Sequence, residues 1–342
     1  MTESLSGNPG PNRFDAVTVG AGPAGLSAAL ILGRSRRRVL VCDRGQQRNL
    51  RSRQLNGYLT RDGIPPIELR RLGRDELTQY DGVAIMVVEV TSANRFGRGF
   101  ELTLADESRV FARKVLLATG VLDDLPDIEG FARFYGRSVH HCPYCDGWEV
   151  RDQPLAIYGR GELGKGMALE LTGWSRDLVL CTDGPAELTP HDRARLARHG
   201  IALREEPIAA LEGTGEALEH IRFITGEWLP RRALFFHTTF RQASDLATGL
   251  GCILMKKGVI ETEAFEWTVV PGLYVAGDAS RHVQLSIVAA AEGAEAAFAI
   301  NTKLLREDLA ERENDPGHSG ELNPQHGTRM SPASPPDAAE TR

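Results

Sequence analysis

The sequence predicts an α/β protein built of two doubly wound, three-layer units. Three observations carry this prediction. Short apolar runs rich in β-formers alternate with helical patterns, the arrangement of parallel-sheet α/β units. A glycine triplet between a strand pattern and a helix pattern occurs twice, as Gly20-Ala21-Gly22-Pro23-Ala24-Gly25 and as Gly159-Arg160-Gly161-Glu162-Leu163-Gly164. Each triplet is followed, after the next strand-like run, by an aspartate: Asp43 and Asp183. The chain has 342 residues, of which 42% are hydrophobic, enough for two ordinary domains with cores of their own.

Taken in order, Asp15–Val19 reads as a strand, Pro23–Leu32 as a helix and Arg38–Cys42 as the next strand. In such a unit the first glycine permits the tight turn and the second lets backbone approach a pyrophosphate. The third allows close packing of helix on strand. Asp43 then stands where a carboxylate accepts hydrogen bonds from a ribose hydroxyl. The order strand, glycines, helix, acid favours a bound dinucleotide over a glycine-rich turn with no ligand. Arg34, Arg36, Arg37 and Arg38 close the helix, where cations complement its dipole. Pro154–Tyr158, Leu163–Trp174 and Asp177–Thr182 repeat the layout. Val115–Gly120 is an apolar strand ending in a small-residue turn, and Gly272–Asp278 another ending in Gly-Asp. Val283–Ile300 reads as a long alanine-rich helix. Residues 1–12 and 307–342, polar and poor in apolar side chains, are expected to be disordered.

Between the two triplets lies Cys142-Pro143-Tyr144-Cys145, followed by Asp146-Gly147. A CxxC pair combines an attacking thiolate with a second sulfur that closes on it. Set between two dinucleotide signatures, it implies electron transfer between a bound cofactor and a dithiol. His140 and His141, when protonated, would lower a cysteine pKa. Asp146 is placed to carry a proton to or from a leaving thiol. Other readings are a glutaredoxin-like motif, a structural disulfide, and a zinc site of His141, Cys142 and Cys145. The zinc site lacks a second ligand pair at a distance. Cys42 and Cys181 end apolar runs and read as inert core residues. The net charge of −6 gives no argument for nucleic acid or an anionic membrane as partner. The N-terminus has no basic or apolar leader segment, and the most apolar late segment carries Glu292, Glu295 and Lys303. A cytoplasmic protein without a membrane span or metal is therefore expected.

The order of motifs resembles the low-molecular-weight thioredoxin reductases and their relatives, over about residues 13–306. The resemblance implies two Rossmann-like domains, the second inserted in the first. Residues 13–122 and 243–306 would form a discontinuous FAD-binding domain, and 123–242 an inserted NAD(P)-type domain carrying the CxxC. The crossings would lie near Val121–Asp124 and Thr238–Ser244. By the same resemblance, Gly20, Gly22, Pro23, Ala24 and Gly25 cradle the FAD pyrophosphate, and Asp43 takes the ribose. Ala118, Thr119 and Gly120 line the adenosine and pyrophosphate side. Asp278, after Gly277, orients the ribityl chain. Gln284 starts the terminal helix near the flavin ring, and Asn49 and Asn56 lie in the loop that touches flavin. Cys145 would face the flavin and Cys142 exchange with an external dithiol or disulfide, a small molecule or a thioredoxin-like protein. A homodimer is implied as well.

Two departures modify that picture. The stretch that should hold a basic cluster for the 2′-phosphate of NADPH is Cys181–Glu187, with two acids and no base. NADPH is thereby disfavoured, unless Arg160 or Lys165 reaches the phosphate. NADH, held by Gly159, Gly161, Gly164 and Asp183, remains open, as does no nicotinamide cofactor at all. The usual Arg-Gln pair before the terminal helix is Val283-Gln284, so a cation near the flavin is missing. These departures resemble a divergent branch that includes dithiol oxidases closing disulfides in natural products such as holomycin, gliotoxin and romidepsin. The leading expectation is an FAD-dependent dithiol/disulfide oxidoreductase. A dithiol oxidase using oxygen and a non-catalytic redox sensor are the alternatives.

Overall fold

A computed structural model of the protein describes residues 12–314. The first sheet begins with β1 (Arg13–Val19), α1 (Pro23–Arg34), β2 (Val39–Cys42), α2 (Pro66–Leu77) and β3 (Val83–Met86). It continues through β4 (Val90–Phe96), β5 (Gly99–Leu104) and β6 (Arg109–Leu117). β7 (Val121–Asp124), α3 (Phe131–Phe134), β8 (Val139–His140) and α4 (Pro143–Asp146) lead to the second parallel sheet. That sheet is built on β9 (Leu155–Tyr158), α5 (Gly161–Glu170), β10 (Leu178–Cys181), α6 (Pro190–Arg198) and β11 (Ala202–Arg204). An antiparallel trio follows, β12 (Ile208–Thr214), β13 (Ala217–Phe223) and β14 (Trp228–Pro230). The chain closes with β15 (Ala233–Phe236), β16 (Thr239–Gln242), α7 (Leu246–Gly249), β17 (Leu273–Val275) and α8 (Ser286–Glu313).

The first sheet has the order β3-β2-β1-β6-β5-β4, and β17 joins it on β6. β17, from far along the sequence, runs parallel to β6 with Leu273 opposite Val115. The second sheet is ordered β11-β10-β9-β15-β8 and is parallel throughout. β7 and β16, the two segments expected as crossings, pair with each other as an antiparallel ribbon.

Alternation in the strands explains the layers. Val39 and Val41 of β2 point to the core under α1, while Leu40 and Cys42 point to the opposite core. Successive residues of a strand face opposite sides, so a strand buried on both faces must be apolar throughout. In β9, Leu155 and Ile157 meet Met167 and Ala168 of α5, whereas Ala156 faces Phe131 and the antiparallel trio.

Most element boundaries shift by one or a few residues from expectation, as three examples show. α5 begins at Gly161, two residues before Leu163. β10 is one residue shorter than expected at each end. α8 starts after Gln284 and continues to Glu313, so residues 307–313, expected to be tail, are helical. The remaining expectations for the two ends, residues 1–11 and 315–342, lie outside the described residues. No helix among the described residues is long and apolar enough to cross a membrane.

Candidate active site

The three glycines of the first turn have different reasons. Gly20 has φ +110°, and a Cβ there would overlap the Ala118 carbonyl. A Cβ on Gly25 would overlap the Gly20 carbonyl, so the helix could not come this close to the strand. Gly22, the N-cap of α1, has no atom within 4 Å of its would-be Cβ. That side opens on a cavity, as a pyrophosphate-facing backbone requires.

One cavity joins the glycine turn to the cysteine pair. Its lining includes Gly20, Gly22, Pro23 and Ala24 at one end and Cys142, Cys145 and Asp146 at the other. Asp43, Asn49, Asn56, Ala118, Thr119 and Gly120 line it, as do Gly277, Asp278 and Gln284. Of the residues expected around FAD, only Gly25 is outside the lining, because it packs α1 on β1. At the expected adenosine end, the buried Asp43 receives Gly45 N–H at 2.9 Å and Gln47 at 3.3 Å on one oxygen. Arg70 (2.7 Å) and Arg74 bond the other oxygen. Arg44 lines the cavity with a buried Nη2 that has no hydrogen-bond partner among the described residues. An open glycine backbone, an orphaned guanidinium donor and a dithiol on one continuous wall fit an extended flavin dinucleotide.

Cys142 and Cys145 are joined by a disulfide. Cys142 is the N-cap of the short helix α4, and the Cys145 amide lies 3.2 Å from its sulfur. That N–H stabilises charge on Cys142 when the bond opens. Asn56 Nδ2 donates to the Cys145 carbonyl at 2.8 Å, pinning the pair to the loop after β2. His140 is buried, its ring tilted against Phe235 with centroids 5.4 Å apart, and its Nδ1 lies 3.3 Å from Asp146 Oδ1. It therefore orients the aspartate expected to move protons. His141 is not the cationic tuner the sequence suggested. Burial, with the nearby Arg48 charge, pushes its pKa down to about 4, so it is neutral near pH 7.

Sequence reasoning missed Arg48. Its guanidinium grips Asp123 of β7 through two bonds, 2.8 and 2.5 Å, and reaches Asp278 at 3.0 Å and Gln284 at 2.5 Å. Tyr135 Oη donates to Asp123 at 2.5 Å and stands 3.2 Å from His141 Nδ1. The bonds to Arg48 and Tyr135 hold the Asp123 carboxyl below its usual range against the opposing effect of burial. Arg70 and Arg74 were missed too. Arginines in a loop or on an exposed helix have no periodic signal. The gap noted at Val283 was the one clue that another cation was needed.

The second glycine turn is built differently. Gly164 packs on Gly159 as Gly25 packs on Gly20, its would-be Cβ 2.5 Å from the Gly159 carbonyl. Here, however, the Gly161 amide donates to the Ala186 carbonyl at 2.9 Å. Ala186 is fully buried, and Glu187 places a carboxylate oxygen 4.0 Å from the would-be Cβ of Gly161. Arg160 folds across the strand end, bonding the Thr182 carbonyl at 2.6 Å and the Asp183 carbonyl. The Asp183 carboxylate accepts from Ile208 N–H at 2.7 Å. Lys165 is bound by Glu162 (2.5 Å) and Asp192 (2.6 Å). The groups expected to meet a second dinucleotide are thus engaged with the chain itself.

The profile of the pyridine nucleotide-disulphide oxidoreductase family matches residues 14–293. The thioredoxin reductase SirT of Leptosphaeria maculans is 30% identical over 88% of this chain and 98% of that protein. A probable thioredoxin reductase of Arthroderma benhamiae is 30% identical over 79% and 74%. Among solved structures, HlmI is 35% identical, with a TM-score of 0.84 over 90% of this chain and 97% of that one. A putative thioredoxin reductase, TrxB from Bacillus anthracis, is 34% identical, with a TM-score of 0.82 over 86% and 99%. The chain belongs to the pyridine nucleotide-disulphide oxidoreductase family, whose cofactors are in general FAD and NAD(P)H. Within it, the protein is a thioredoxin reductase-like, FAD-dependent dithiol/disulfide oxidoreductase.

Proposed function

We propose that this enzyme exchanges electrons with an external small dithiol and does not take hydride from a nicotinamide cofactor. The observation that carries this reading is the second glycine turn, whose Gly161 amide is held by Ala186 and whose approach is flanked by Glu187. A diphosphate would have to displace the first and would be repelled by the second.

In the oxidising direction, an external thiolate attacks Cys142, and Cys145 leaves as a thiolate. Asp146, oriented by His140, manages the proton. The second external thiolate attacks the mixed disulfide at the substrate sulfur. The substrate disulfide closes, and Cys142 leaves beside the Cys145 amide. Bound FAD would supply the two-electron acceptor for the resulting protein dithiol. The net change is external dithiol plus oxidised flavin to disulfide plus reduced flavin.

Anaerobic stopped-flow reduction tests this. Dithiothreitol should bleach the flavin quickly, and NADH and NADPH slowly or not at all. Fast, saturable bleaching by either nicotinamide at micromolar concentration would overturn the reading and return the enzyme to the nucleotide-driven reductases.

A further inference from the structure

Three stretches distant in sequence meet at Arg48: the loop after β2, the crossing strand β7 through Asp123, and the segment before α8 through Asp278 and Gln284. The side chain is 12% exposed and lines the cavity that reaches the dithiol. From Asp123 the contacts continue through Tyr135 to His141, the residue before Cys142. We propose that Arg48 is a positioning residue that sets the redox balance between the dithiol and the flavin. It supplies the cation absent at Val283, and Asp123 moderates its charge.

The reasoning is electrostatic and rests on the cavity holding FAD. Closing the Cys142–Cys145 bond releases two electrons and two protons; bound FAD would take up the electrons and one proton as its anionic reduced form, and the other proton would go to solvent. A fixed cation lining the cavity favours that anion. Arg48 holds Gln284 at this wall, and its charge is offset by the bidentate Asp123 and by Asp278. Removing the cation disfavours electron transfer to flavin. Neutralising Asp123 leaves the cation less compensated and favours it. A role in folding alone gives no such opposition of sign.

The test is the flavin midpoint potential of the holoenzyme, measured against a reference dye. Arg48→Met should shift the dithiol–flavin equilibrium toward the dithiol about tenfold, a fall of roughly 30 mV. Asp123→Asn should shift it the other way by about threefold or more. Arg48→Lys, which keeps the charge, should stay within about threefold of the parent. If Arg48→Met fails to fold or to retain FAD, the other two variants decide. An unchanged or lowered potential in Asp123→Asn, or a full tenfold fall in Arg48→Lys, overturns the proposal. A parent protein without FAD would instead overturn the cavity assignment beneath it.

Discussion

Gly22 and Gly25 lie three positions apart, yet the structure needs them for different things. A side chain at 22 enters the cavity, and one at 25 enters the backbone of the preceding turn. Gly22→Trp should therefore fold with its melting temperature nearly unchanged and emerge from purification with little or no FAD. Gly25→Ala should lose stability by ~1–3 kcal/mol or more, the usual cost of forcing atoms into a packed contact. Absorbance at the flavin maximum beside a thermal melt separates the two. A Gly22→Trp protein with stoichiometric FAD would mean that the pyrophosphate lies elsewhere. Residues of this kind were legible in the sequence because motif spacing marks them. Arg48, Arg70 and Tyr135 were not, since their partners lie 75, 27 and 12 residues away and only the folded topology brings them together.

At the level of elements, strand and helix identities in both βαβ units followed from apolar runs and glycine punctuation. The end of α8 did not. Apart from Asp308, residues 305–313 are a run of leucine, glutamate, arginine and alanine. All are strong helix formers, but so polar a stretch resembles a disordered tail when judged by composition alone. Within α8, Glu292 is nearly buried. It accepts the Gly277 amide at 2.8 Å and pairs with Arg281 at 2.9 Å. Burial, followed by the nearby Glu266 charge, raises its pKa from 4.5 to about 7. The folded chain thus keeps this proton up to about pH 7, whereas the unfolded chain loses it near pH 4.5. Stability from this group is present below the lower value and lost as pH rises through the upper, an effect of about 3 kcal/mol. Glu292→Gln keeps an acceptor for Gly277 and removes the titration. Its melting temperature relative to the parent should rise across that window, and parallel pH profiles would disprove the coupling.

For the whole molecule, the resemblance to thioredoxin reductases implied a homodimer. The exposed rings of Phe265, Trp267 and Phe298 offer a face for it, with Phe265 centred 6.5 Å from Trp267 and 6.2 Å from Phe298. Clusters of exposed aromatic side chains mark association sites more often than single exposed residues do. Sedimentation should report a dimer at micromolar concentration, and Phe298→Glu should shift it toward monomer. A parent protein that sediments as a monomer would leave those rings without that explanation. The antiparallel pairing of β7 with β16 joins segments more than a hundred residues apart, which no local pattern in either segment marks. The acidity of the stretch facing the second glycine turn was legible, but its hydrogen bond to the turn was not. The motif of that turn is intact, and what fills it is a non-motif loop whose Asp183 and Glu187 adopt φ of +50° and +55°.

The other three cysteines give the chain a property useful at the bench. Cys42, Cys181 and Cys252 are all buried, and burial pushes the first two up to about 12 and raises the third. They are poor targets for a maleimide or a haloacetamide while the fold is intact. Any such reagent taken up by the native protein reports on Cys142 and Cys145 alone. Labelling stoichiometry then serves as an internal meter of how much of a sample stands in the reduced form, with no mutation needed to clear the background.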